Sequence, residues 1–181
     1  MRETRTRNLV LAGLMAALTA LGAFIRIPLG ITSITLQFFF TAMAGVLLGP
    51  KWGALSQGAY VALGLAGLPV FTLGGGLSYV FQPSFGFLLG LLPAAAVTGA
   101  LSRGRASRPG WVALACLAGL GALYLIAVPY MYLILNLYLG RGMPVWEVIR
   151  TGMLLYLPGD GVKIGVTCLV SRPLARALKR G

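Results

Sequence analysis

Asp160 and Lys163 are the acid and the base that this chain sets well inside apolar sequence, in the stretch Leu157-Pro158-Gly159-Asp160-Gly161-Val162-Lys163-Ile164. The chain holds three acids in all, Glu3, Glu147 and Asp160, and no histidine. The other two acids flank charged, loop-like sequence. On a helix, a spacing of three residues stacks both side chains on one face. A charge in the middle of a membrane helix costs about 2.5–3.5 kcal/mol on insertion scales, so such a pair needs a partner or a task. The chemistry it suits is binding, because a carboxylate accepts N–H donors and an ammonium pairs with an acid. Catalysis has little to work with: there is no histidine, no second carboxylate near Asp160 and no metal-ligand spacing. We therefore expect neither a metal nor a cofactor in the chain. Two alternatives stand beside binding. Asp160 caps a helix started by Pro158-Gly159 and neutralises Lys163, a purely structural pair, or it relays protons in a self-sufficient proton-coupled carrier.

The elements that hold this pair are those of a membrane protein. Of 181 residues 58% are apolar and 10% charged, with a mean hydropathy of +0.88, more than a soluble domain of this length carries. The 26 glycines are scattered through apolar runs, where small residues let membrane helices approach closely. The net charge of +12 does not indicate a nucleic-acid partner, since the basic residues gather at the ends of apolar segments. Cys116 and Cys168 lie in apolar runs and read as packing residues.

The fold class expected is an all-α integral membrane protein, a single domain over 1–181. Its six transmembrane helices cover about 8–27, 36–48, 52–68, 84–101, 111–139 and 154–170. The first is long enough for a hydrocarbon core of about 30 Å and reads as a retained span. Ala12, Ala16 and Ala20 recur along it as a small-residue stripe, suited to packing within the chain or to docking on a separate protein. Residues 28–35 break the run as a polar loop. Gly49-Pro50-Lys51 makes a tight turn, and 69–82 is a long glycine-rich loop without charge, a kind of loop that is usually functional. Six spans put Arg2, Arg5, Arg7, Lys51, Arg103, Arg105, Arg108, Arg172, Arg176, Lys179 and Arg180 on one side, against Arg26, Arg141 and Arg150 on the other. By the positive-inside rule both termini are cytoplasmic. The two loops and Asp160 then meet at the outer mouth of the bundle. Phe38, Phe71, Tyr79, Phe81 and Phe85 are available there as apolar walls, each with plain core or lipid packing as its alternative.

Several motifs add a family resemblance. They are Thr35-Leu36-Gln37, the Ala-Gly-x-Leu-Leu-Gly-Pro stretch from Ala44 to Pro50, Gly67-Leu68-Pro69-Val70-Phe71, the cluster Gly74 to Gly76, Pro83-Ser84-x-Gly86-Phe87 and Pro158-Gly159-Asp160-x-x-Lys163. In this order and spacing the chain resembles the BioY family, the biotin-specific substrate-binding subunits of energy-coupling-factor (ECF) transporters. The resemblance implies a six-helix protein that captures biotin from outside a prokaryotic cell membrane. A separate transmembrane T component and two ATPases supply the energy, and ATP is used by those partners. It implies that Asp160 accepts the ureido N–H groups and that Lys163 favours the valerate carboxylate. Gln37, Phe71, Gly75, Tyr79, Gln82, Ser84 and Phe85 would join them in the site, while Ala12, Ala16 and Ala20 would dock the T component. Gln82 and Phe85 stand where the family usually has glycine, Phe87 where tyrosine is common, and Tyr79 where some relatives have asparagine. Another vitamin on the same scaffold is therefore the nearest rival ligand.

Overall fold

The computed structural model describes residues 2–29 and 31–180. Helix α1 (Arg2–Phe24) leads into a β-hairpin of β1 (Arg26–Leu29) and β2 (Thr32–Thr35), and then α2 (Gln37–Leu65). A 3-10 turn (Leu77–Phe81) precedes α3 (Phe85–Ser102) and α4 (Pro109–Leu133), which ends in a π-helical turn (Ile134–Tyr138). The short α5 (Val145–Ile149) runs through a second π turn (Arg150–Leu154) to α6 (Leu157–Arg180). Among the described residues, five helical stretches are long and apolar enough to cross a membrane: Arg5–Phe24, Gln37–Leu65, Phe85–Ser102, Pro109–Tyr138 and Val145–Ala177.

Two features differ from the sequence reading. The 28–35 segment is a hairpin with Ile27 opposite Ile34 and Pro28 opposite Ser33, not an irregular loop. The stretch Thr32-Ser33-Ile34-Thr35, β-branched at three of its four residues, suits a strand. Its first strand takes Arg26 and Ile27 from the expected first span, and α1 stops at Phe24. The link holding Glu147 and Arg150 is helical as well.

Helix α2 runs through both of the spans expected at 36–48 and 52–68 and is broken at the turn expected at Gly49-Pro50-Lys51, so it is not one rod. Gly49 holds φ 79 and ψ −179 in its middle, a conformation that glycine adopts without penalty, and Pro50 then starts the second arm as a first-turn proline does. The Gln37 amide donates to the Tyr60 hydroxyl at 2.8 Å, 23 residues on. Along a straight helix those residues would lie about 34 Å apart, at ~1.5 Å per residue. Thr41 likewise reaches Gln57 at 3.0 Å. The two arms therefore lie side by side and antiparallel.

Around the bundle α1 packs on α2, α3 lies between α2 and α4, and α6 closes against α2 and α4. The alanine stripe belongs to this packing. Ala12 and Ala16 are each only 4% exposed, and Ala16 joins a core with Phe38 and Ala42 while Ala20 packs on its edge. Within this chain the stripe thus serves the packing of α1 against α2, the first of the two uses expected for it. The outward face of α1 instead presents Leu9, Leu14 and Leu21.

Candidate functional site

A cavity of about 610 Å³, counting the space at its mouth, lies between α2, α3, α4 and α6 under the hairpin and the 69–82 loop. α6 contributes Tyr156 from just before its first residue, then Asp160 and Lys163. Asp160 lies in the first turn of that helix, with its amide already bonded to the Tyr156 carbonyl at 2.9 Å. It is thus inside the helix and not its capping residue. The helix N-terminus supplies a favourable partial charge for the carboxylate.

Lys163 Nζ donates to Asp160 Oδ1 at 2.7 Å, and the Tyr124 hydroxyl of α4 donates to Asp160 Oδ2. Asp160 is 4% exposed and Lys163 7%, so this is a buried ion pair. Both members of a buried pair need hydrogen-bond partners to persist, and among the described residues no buried side-chain polar atom lacks one. The pair still has capacity to spare. A carboxylate offers about four lone-pair sites and an ammonium three protons, and the contacts named use two of the former and one of the latter. Both groups line the cavity.

A second polar set lines the same space. Thr72 and Tyr79 share a hydrogen bond of 2.8 Å, and the Tyr79 hydroxyl meets Ser84 Oγ at 3.3 Å. Thr35 Oγ1 donates to Gln37 Oε1 at 2.9 Å. The intervening wall is apolar, with Phe38, Phe87, Leu88, Leu91, Leu120 and Leu123. The roof is tied down at two points: the Arg26 guanidinium donates to the Thr72 carbonyl, and the Tyr130 hydroxyl of α4 donates to the Val80 carbonyl.

The residues expected from the sequence divide into two groups. Asp160, Lys163, Tyr79, Ser84 and Gln37 are brought together on the cavity wall, with Phe38 beside them. Phe71, Phe85, Gly75 and Gln82 are not on it. Phe71 and Phe85 flank Tyr79, with ring centroids 4.7 Å and 6.4 Å from it, and so brace the ring from behind. Gly75 is pressed against the chain where it leaves α2, so that an added Cβ would clash with the Leu68 carbonyl oxygen and lie 2.9 Å from that of Gly64. Gln82 is exposed, and Phe81 faces outward, stacked on Tyr138 at 4.8 Å. The sequence reading missed Tyr124, Tyr156, Thr72 and Ser33. Thr72 and Ser33 lie in the two loops it singled out, but nothing distinguishes Tyr124 within its apolar run.

The arrangement can hold a small, largely apolar molecule with a donor–acceptor head. Asp160 and Lys163, side by side, present an acceptor next to a donor.

Comparison with known proteins points the same way. The model of the BioY family matches residues 1–180. The chain is 46% identical over 186 residues to the probable biotin transporter BioY of Lysinibacillus sphaericus, covering 99% of this chain and 95% of that protein. It is 35% identical over 171 residues to the biotin transporter BioY of Thermotoga maritima, covering 94% and 96%. Among solved structures, the S-component for biotin from an ECF-type ABC transporter matches with a TM-score of 0.74 at 28% identity, over 97% of this chain and 94% of that one.

Proposed function

The chain belongs to the BioY family, and on that premise we propose that it is a multi-pass membrane subunit that captures biotin for uptake. The observation that carries this reading is the buried Asp160–Lys163 pair on the wall of a mostly apolar cavity. Its role is transport and not catalysis, in keeping with relatives named as transporters along nearly their whole length.

The geometry supports one revision of how biotin is held. A cyclic urea offers N–H donors beside a carbonyl acceptor. Asp160 accepts the N–H groups with its remaining lone pairs, and Lys163, held at 2.7 Å from Asp160, donates to the ureido oxygen. Lys163 thus serves the same end of the ligand as Asp160, and the valerate carboxylate turns to the second polar set around Thr72, Tyr79 and Ser84. The apolar wall covers the thioether ring.

The antiparallel arms of α2 are read as two crossings, which gives six in all and returns both termini to one side. The excess of Lys and Arg on that side makes it cytoplasmic, in the plasma membrane of a prokaryote. The partners are a transmembrane T component and two ATPases, with ATP used by the latter.

Calorimetric titration of the purified chain with biotin, thiamine and riboflavin tests the ligand. Biotin alone should bind tightly, and Asp160→Asn should weaken it by about 10- to 100-fold, as expected for lost hydrogen bonds to a charged group of roughly 1.5–3 kcal/mol. Tight binding of another vitamin, or undiminished biotin binding by the folded variant, would overturn the reading.

A further inference from the structure

A second cavity opens where α1, the bend of α2, the α3–α4 turn and the end of α6 meet. It measures about 1000 Å³ counting its mouth. Along α6, Arg172 and Arg176 lie roughly 18–24 Å beyond Asp160 at ~1.5 Å per residue, so this cavity occupies the opposite end of the bundle. Arg7, Arg103, Arg172 and Arg176 line it, together with an apolar wall from Val46, Leu47 and Leu48. The acid nearest to it in the sequence is Glu3, one turn before Arg7, whereas Glu147 and Asp160 belong to the other end. No acid joins the four guanidiniums among the described residues that line the cavity, which leaves a large positive excess.

Orienting a chain in the membrane needs positive charge at the helix ends. It does not need guanidiniums from three separate elements to surround one hollow. Arginine forks match phosphate oxygens in pairs, and basic pockets between membrane helices suit anionic headgroups. The apolar wall narrows the choice, because a free phosphate has no use for it. The helices end here, at the edge of the hydrocarbon layer, which is where a headgroup joins its acyl chains.

We propose that this cavity binds the phosphate of an anionic phospholipid, with the first carbons of its acyl chains against Val46, Leu47 and Leu48. The site is separate from the Asp160 cavity and rests only on the membrane-spanning character of the chain.

The test is mass spectrometry of the intact chain in neutral detergent, equilibrated with equal amounts of phosphatidylglycerol and phosphatidylcholine. Phosphatidylglycerol should be retained in preference, and Arg172→Gln and Arg176→Gln should each reduce that retention about fivefold. Arg141→Gln and Arg150→Gln, at the other end, should leave it unchanged, and biotin titration of each variant reports its folding separately. Equal retention of both lipids overturns the proposal. So does an equal loss in the Arg141 and Arg150 variants, or displacement of the lipid by an equal concentration of inorganic phosphate, which would assign the hollow to a small free anion.

Discussion

Tyr124 is where the site depends on a residue from a different helix than its charges. Its hydroxyl takes one carboxylate oxygen of Asp160 while Lys163 takes the other, so the carboxylate is fixed from two sides before any ligand arrives. Such preorganisation lowers the ordering cost of binding. Tyr124→Phe keeps the ring and its packing but frees that oxygen to rotate. Biotin affinity should fall about tenfold, near 1.4 kcal/mol and at the lower edge for a hydrogen bond to a charged group. Calorimetry checks the affinity, and an unchanged thermal midpoint in the same sample would separate this from loss of fold. Affinity equal to that of the parent would show that Tyr124 only packs.

At the scale of the elements, the bend of α2 is the feature on which the bundle turns. Gly49 supplies the left-handed backbone at that bend, and Gly99 of α3 lies directly against it. A Cβ on Gly99 would stand 2.6 Å from both the Gly49 carbonyl carbon and the Pro50 nitrogen. Those are backbone atoms, which cannot swing aside as a side chain can. Gly99→Leu should therefore cost about 1–3 kcal/mol or more through overpacking. In a thermal melt that is a fall of roughly 5 °C or more. Gly58→Ala is the control, since its Cβ would meet Leu92 at an ordinary 3.8 Å and alanine favours a helix over glycine, so its midpoint should not fall. The same melt for both variants would disprove the close approach.

For the whole molecule the question is how many times the chain crosses the membrane. If the α2 arms are separate crossings, Lys51 lies on the side of the termini and Arg141 on the other. In a chain with Cys116→Ala and Cys168→Ala, Lys51→Cys should react with an impermeant maleimide only after the cells are opened. Arg141→Cys should react in intact cells. Reaction of Lys51→Cys in intact cells would sink the six-crossing arrangement. The proton-carrier alternative is weakened at this scale too. Asp160 is held by a lysine and a tyrosine, no other acid among the described residues lines its cavity to receive a proton, and a binding subunit needs none.

What the sequence determined by itself was set by local composition. Long apolar runs with basic ends specify a membrane bundle, because burying bare charge or unpaired backbone in lipid is too costly. The isolated Asp160 and Lys163 were legible for the same reason: in such a run, a charge stands out. Thr35-Leu36-Gln37, Pro83-Ser84 and the glycine cluster were legible as motifs. The tertiary structure decided the rest. It turned Phe71 and Phe85 behind Tyr79, sent Gln82 outward and buried Ala12 and Ala16, because a helix face is assigned by what packs against it and not by its own residues. It also brought Tyr124 to Asp160, 36 residues away. The crossing of α4 and α6 sets that contact, and no spacing within either run encodes it.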